Sequence, residues 1–128
     1  MPRGPIPEEL RRFILTSVPT VPFLEALLLF REARGAAVGT DVVARRLYLS
    51  DAAAAQVIAQ LGDARIVRQA DVPGSHRFAP DSPQLAAMLD MLAEFYRTHL
   101  VDVTDIIHAR TGRKARQFAD AFKLRKDS

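Results

Sequence analysis

Four side chains near the end of the chain are of types that bind metal ions, namely His99, Asp102, Asp105 and His108. Each residue of an α-helix advances by about 100°, so successive steps of three residues drift around the axis and the four side chains do not converge. The pattern favours a solvated helix face with charges at its end, and a site shared between two copies of the chain is the alternative. We expect no metal ion and no other cofactor.

Catalytic patterns are also missing from the sequence. The adjacent carboxylates Glu8 and Glu9 stand at a predicted helix start, where the helix dipole already favours negative charge. We find no nucleophile elbow, no glycine-rich phosphate loop and no histidine pair with metal-binding spacing. We therefore expect a protein that is not an enzyme.

Cysteine is absent, which excludes disulfides and thiolate metal sites and fits a reducing compartment. The most apolar stretch, 27–30, is far shorter than the ~20 residues that a membrane span needs. We expect a cytoplasmic protein without a membrane span.

Charge is distributed unevenly along the chain. The net charge is +3, but residues 110–128 hold seven basic and two acidic side chains, which leaves the rest of the chain at −2. The basic character therefore belongs to the C-terminal tail, and overall charge alone does not support nucleic-acid binding.

The pattern of apolar residues and helix breakers predicts a mainly α protein with a small β-hairpin, in the α+β class. We expect one domain over residues 1–110, with a core over 22–80, a long helix over 82–110 and a basic amphipathic tail over 111–128. Thr40 and Asp41 are candidate N-caps, and so is Asp81, with Gln84 in capping-box spacing.

Apolar residues recur every seven positions along the predicted helix 82–110. Such a helix would be about 40 Å long, more than a domain of this size covers, so part of this seam should pack against a second copy of the chain. We expect His99 to be a polar residue satisfied within the seam, and a pH-sensing role is the less favoured alternative. The predicted dimer residues are Leu85, Leu89, Leu92, Tyr96, His99, Val103 and Ile106.

The order helix, short strand, helix, turn, helix and hairpin resembles the winged helix-turn-helix domains of bacterial transcription regulators. The residues that carry the resemblance are 40–47 for the first helix of the motif, Leu49-Ser50-Asp51 for the turn, 52–61 for the recognition helix and 64–67 for the exit strand. The resemblance covers residues 22–80 and implies a DNA-binding transcriptional regulator, with the helix after the wing as a dimerisation helix.

In this family the second helix of the motif enters the major groove and the wing lies along the adjacent DNA backbone. Only Gln56 and Gln60 suit base reading, because the recognition helix begins with four consecutive alanines and contains no Lys or Arg. The implied DNA-binding residues are Arg45, Arg46, Ser50, Ala53, Gln56, Gln60, Arg65, Arg68, His76 and Arg77.

The composition of the recognition helix leaves a second function open, since a helix rich in alanine also allows another protein to approach closely. The tail adds to this alternative, because Phe118 and Phe122 are spaced i, i+4 and would share one helix face beside a basic face. The alternative is thus a winged-helix protein–protein interaction module whose tail docks on a partner. A nucleic-acid arm, an anionic-membrane contact and a solvated terminus are the other interpretations of the tail.

Overall fold

The computed structural model describes residues 6–109 of the chain. These residues form a mainly α structure with a small antiparallel sheet, which confirms the α+β class. Residues 100–109 are a further helical segment that reaches the end of the described part. The predicted tail, with Phe118 and Phe122, lies outside the described residues. The elements are α1 (Glu8–Ser17), α2 (Val21–Glu32), β1 (Val38–Gly39), α3 (Thr40–Leu47), α4 (Asp51–Asp63), β2 (Val67–Gln69), β3 (Ser75–Phe78) and α5 (Pro83–Thr98).

Helix α2 lies at the centre of the structure, and its apolar residues cover most of its circumference. The Thr20 side chain accepts a hydrogen bond from the Phe23 N–H (3.2 Å) and caps the helix start. The helix packs against α3, α4 and β3. Its buried residues are Phe23, Leu24, Ala26, Leu27 and Phe30.

Helices α3 and α4 form a helix–turn–helix pair. Tyr48 ends α3 in a left-handed conformation (φ 56°, ψ 43°), and the Leu49 N–H donates to the Ala44 carbonyl at 2.8 Å. Ser50 then begins α4, since its hydroxyl accepts the Ala53 N–H at 3.0 Å. The buried side of α4 consists of Ala54, Val57, Ile58 and Leu61.

The sheet follows the order β1-β3-β2, so β3 is the central strand and pairs antiparallel with both neighbours. Residues 70–74 connect β2 and β3, and Gly74 takes a positive φ of 79° in this turn. The Gly74 carbonyl accepts two hydrogen bonds from Thr40, one from its N–H (3.1 Å) and one from its hydroxyl (3.2 Å). The hairpin is thereby attached to the first residue of α3.

The hydrophobic core includes residues on both sides of the range 22–80. Helix α1 packs against α5 and buries Leu10 and Ile14, and Val103 and Ile107 of the segment 100–109 are buried as well. Over residues 6–109 we find no single helix long and apolar enough to cross a membrane, although α1 and α2, bent by 109° at their junction, pass that test as a pair.

The predicted continuous helix over 82–110 is wrong, because α5 ends at Thr98 and His99 leaves helical geometry (φ −130°, ψ 42°). The Thr98 hydroxyl lies 2.7 Å from His99 Nδ1, and the His99 ring stacks on Phe95 with centroids 3.9 Å apart. Although burial raises the pKa of Tyr96 overall, the Thr104 side chain lies close enough to the Tyr96 hydroxyl to lower it in part. In a straight helix these two residues would be about 12 Å apart along the axis, so the chain must bend between them.

The bend also corrects the predicted dimer seam. Leu89, Leu92 and Val103 have no exposed surface within a single chain, so the prediction that they face a partner is wrong. A straight helix would have carried Val103 away from the body, whereas the bend buries it in the chain's own core. The other seam residues Leu85, Tyr96, His99 and Ile106 are half-buried.

Candidate nucleic-acid interface

The outer face of α4 is the most open part of the helix–turn–helix pair. Ala52, Ala55, Gln56 and Ala59 are exposed and follow the i, i+3, i+4, i+7 spacing of one helix stripe. Small side chains make this face smooth, so a groove wall or a protein surface can approach the helix backbone closely.

The structure divides the residues of α4 that were predicted to face DNA. Gln56 lies on the open face, whereas Ala53 and Gln60 are half-buried. Ser50 is exposed, but its hydroxyl is occupied as the cap of α4. The sequence contained a signal for this division, because the apolar residues Val57, Ile58 and Leu61 mark the buried side and so place Ala52 and Ala59 opposite.

Electrostatics around α4 are balanced and not basic. The helix contains Asp51 and Asp63 and no Lys or Arg. Over residues 40–81 the sequence has five arginines and five aspartates, so the helix pair and hairpin together carry no net charge. Attraction to a phosphate backbone must therefore come from individual arginines that are free of their own ion pairs.

Two of the predicted phosphate-binding arginines share an acidic partner. Arg68 donates to one Asp81 oxygen at 2.9 Å, and Arg65 contacts the other at 3.3 Å. Hydrogen bonds from Arg68 and then from Arg65 lower the pKa of Asp81 below its ordinary value of 3.8, against a smaller opposing effect of desolvation. Both guanidinium groups remain largely exposed. The cluster lies at the base of the hairpin and reduces the positive charge available there.

The remaining three arginines differ in whether they form an ion pair. Arg45 contacts Asp41 one helix turn away at 3.5 Å, an exposed pair that contributes little to stability. Arg46 and Arg77 are exposed, and within residues 6–109 neither has an ion pair. Arg77 lies on β3, so the hairpin presents a cation beside the helix pair.

His76 does not fit its predicted place at the wing surface. It is half-buried on the central strand, where its backbone is paired with Gln69 on one side and Val38 on the other. Its Nδ1 atom is buried and has no hydrogen-bond partner in the described part of the chain. The exposed end of the hairpin is instead Val72, Pro73 and Gly74.

Tyr48 is an exposed residue of the turn that the sequence analysis did not select. Its side chain is 96% exposed, more than any other large hydrophobic residue of the described part. An aromatic residue between the last turn of α3 and the cap Ser50 was the available signal.

A groove on the other side of Arg46 separates α2, α3 and α5. Its volume is about 410 Å³, its floor is apolar, and its rim is charged. Burial raises the pKa of Tyr96 in this groove, and the nearby Glu25 carboxylate raises it further. In the part of the chain covering residues 6–109, no three His, Asp or Glu side chains are grouped to hold a metal ion. The apolar residues that line the groove are Leu28, Leu29, Leu47, Ala93 and Tyr96.

The geometry therefore offers an open helix and a neighbouring hairpin with one arginine that has no ion pair among the described residues. Comparison with protein-family models, with curated proteins and with solved structures gives no match to this chain.

Proposed function

We propose that the chain is a DNA-binding transcriptional regulator that acts as a winged-helix homodimer. The observation that carries the proposal is the open face of α4, which stands beside a three-stranded sheet whose hairpin holds Arg77. In winged helix-turn-helix domains such a helix enters the major groove while the hairpin contacts the backbone. Helix α4 is the proposed recognition helix, and the hairpin β2–β3 is the proposed wing.

The chemistry of the proposed interface supports broad backbone contact with little base reading. Gln56 is the one amide on the open face of α4, and a Gln side chain pairs with adenine. Arg46 and Arg77 are the cations best placed to meet phosphates. Affinity should therefore depend on salt, and discrimination between sequences should rest on few contacts.

Two opposite substitutions at Ala55 test the proposal. Ala55 is exposed in the middle of α4, so Arg or Glu at this position should leave the fold intact. Fluorescence anisotropy with a labelled duplex at low salt should show binding by the wild type. Ala55→Glu should weaken it by about tenfold or more through repulsion of phosphates, and Ala55→Arg should preserve or strengthen it. Absence of duplex binding by the wild-type protein at low salt would rule the proposal out.

A second candidate function is a winged-helix interaction module that docks on another protein. The specific observation in its favour is the lack of any Lys or Arg on α4, together with Ala52, Ala55 and Ala59 on its open face. Close packing of such a face against protein would be broken by either bulky residue at Ala55. Equal loss of a partner's binding in Ala55→Arg and Ala55→Glu, with no duplex binding, would favour this function.

Self-association is part of the proposal and needs a surface other than the buried seam. Met91, Leu100 and Val101 are exposed apolar residues on α5 and the segment after its break. Sedimentation velocity across a concentration range should show a dimer, and Leu100→Glu or Val101→Glu should shift it toward monomer. A wild-type protein that stays monomeric would remove the dimer from the proposal and leave DNA binding to be judged separately.

A further inference from the structure

We propose that Tyr48 is a phosphate-contacting residue, whose hydroxyl donates a hydrogen bond to the DNA backbone at the edge of the groove that α4 enters. This inference rests on the proposed DNA-binding function and adds to it a neutral contact in the turn of the helix pair.

The backbone of Tyr48 occupies a conformation that tyrosine does not favour. With φ 56° and ψ 43° it is left-handed, the region in which helices usually end with glycine. Its Cβ approaches the backbone in this conformation, so any side chain there costs conformational energy. The turn itself is well formed, since both the Tyr48 and the Leu49 N–H groups donate to the Ala44 carbonyl. Glycine would build the same turn without strain.

The Tyr48 side chain makes little contact with the fold that could offset this strain. It is 96% exposed, and within residues 6–109 its hydroxyl has no hydrogen-bond partner. Arg65 is also left-handed, but its side chain does have a partner within the chain, because its guanidinium binds Asp81. A strained, exposed aromatic residue without a partner in its own chain indicates that its partner lies outside the chain.

The surroundings of Tyr48 point to phosphate as that partner. Arg45 and Arg46 form the last turn of α3 directly before it, and both are exposed. The N-terminus of α4 begins two residues after it at the Ser50 cap, and a helix N-terminus has a positive partial charge. In helix-turn-helix proteins the first helix crosses the backbone and the start of the second reads bases, so the turn between them faces a phosphate. A tyrosine hydroxyl is one of the groups that contact phosphate oxygens.

The test compares Tyr48→Phe, which removes only the hydroxyl, with wild type in duplex anisotropy at several salt concentrations. We expect Tyr48→Phe to raise Kd by about 3- to 10-fold, the usual effect of one lost hydrogen bond. Because a neutral residue displaces no counterion, the slope of log Kd against log salt should stay unchanged, whereas Arg77→Ala should lower it by about 1. The loss should be equal for unrelated duplex sequences, since phosphate contacts carry no sequence information.

Tyr48→Gly provides a second readout that separates function from folding. It should raise the thermal midpoint by about 2–4 °C by relieving the left-handed strain, and it should still weaken duplex binding at least as much as Tyr48→Phe. Thr16→Val is the matched control, because it removes another exposed hydroxyl, on α1, without changing charge and should leave Kd within twofold.

The possible failures are distinguishable. Unchanged affinity of Tyr48→Phe, in a protein whose binding falls on Arg77→Ala, overturns the Tyr48 inference and leaves the DNA-binding function standing. A loss that varies with duplex sequence also overturns it, because that result assigns Tyr48 to base contact. Absence of duplex binding in the wild type overturns both.

Discussion

Arg68 and Arg77 lie directly opposite each other across β2 and β3, and Asp81 binds Arg68 alone of the two. Like charges in facing positions of an antiparallel pair repel each other. The carboxylate of Asp81 offsets this repulsion on one side and leaves Arg77 as the unneutralised member. The two arginines are thus unequal in what they offer to a ligand, although the sequence gives no sign of it.

Arg77→Ala should weaken duplex binding more than Arg68→Ala. Arg77 is exposed and without an ion pair in the described part of the chain, whereas the Asp81 carboxylate partly neutralises the positive charge of Arg68. Anisotropy at several salt concentrations should show a slope that is smaller by about 1 for Arg77→Ala. An equal or larger loss for Arg68→Ala would contradict the assignment of Arg77 as the free cation.

Asp81→Asn should strengthen duplex binding. The substitution removes the carboxylate that holds Arg65 and Arg68, so both guanidinium groups become available to phosphates. We expect a lower Kd at low salt and a steeper salt dependence. Asp71→Asn removes the same charge from the exposed hairpin connection without touching these arginines, and it serves as the control. Equal gains from both variants would mean that net charge alone is responsible.

The same aspartate predicts a small acid sensitivity of the fold. Hydrogen bonds from Arg68 and Arg65 lower the pKa of Asp81 in the folded chain, so its contribution to stability is present above the ordinary value of 3.8 and is lost as the pH falls through the lower folded value. The thermal midpoint of Asp81→Asn should therefore lie slightly below that of wild type at neutral pH. The gap should close as the pH falls below 3.8 and through the lower folded pKa of Asp81. A gap that persists in acid would show that these ion pairs are not its cause.

Leu92→Ala should destabilise each chain on its own. Leu92 is fully buried in a single chain, so the substitution should lower the free energy of unfolding by about 2–5 kcal/mol through lost burial and a cavity. Urea unfolding should show the same loss at every protein concentration. Val72→Ala, at an exposed position of the hairpin, should change stability by less than about 0.5 kcal/mol. A loss that depends on protein concentration would place Leu92 between two chains instead.

Local rules predicted the helix starts with variable success. Ser50 caps α4, which agrees with the preference for a hydroxyl residue before a run of strong helix formers. Asp81 was expected to cap the next helix, but Ser82 does so, and its hydroxyl accepts the Leu85 N–H at 3.0 Å. The carboxylate of Asp81 instead forms ion pairs with Arg65 and Arg68, which are distant in sequence. A capping rule considers only residues close in sequence, so it cannot predict that these ion pairs compete with the cap.

The break of α5 at His99 shows a different limit. A repeat of seven residues marks which side of a helix is apolar, but it does not say whether the covering surface belongs to the same chain. Here Val103 and Ile107 reach the chain's own core after the bend. A straight helix would carry the apolar residues after His99 away from the body of the chain, which is why they were predicted to face a second copy.

The open face of α4 could have been derived in full from the sequence, since it is the complement of the buried positions Val57, Ile58 and Leu61. Which arginines form ion pairs could not be derived in this way. Arg65 and Arg68 lie 16 and 13 residues before Asp81 in the sequence, and their distances of 3.3 and 2.9 Å to its carboxylate follow from the register of the hairpin.

The two hydrogen bonds from Thr40 to the Gly74 carbonyl have a mechanical consequence. They join the tip of the hairpin to the start of α3, whose other end leads through Tyr48 into α4. These bonds therefore restrain the spacing between the hairpin and the helix pair. A ligand that contacts both must match that spacing, so duplex DNA would have to deform toward the protein.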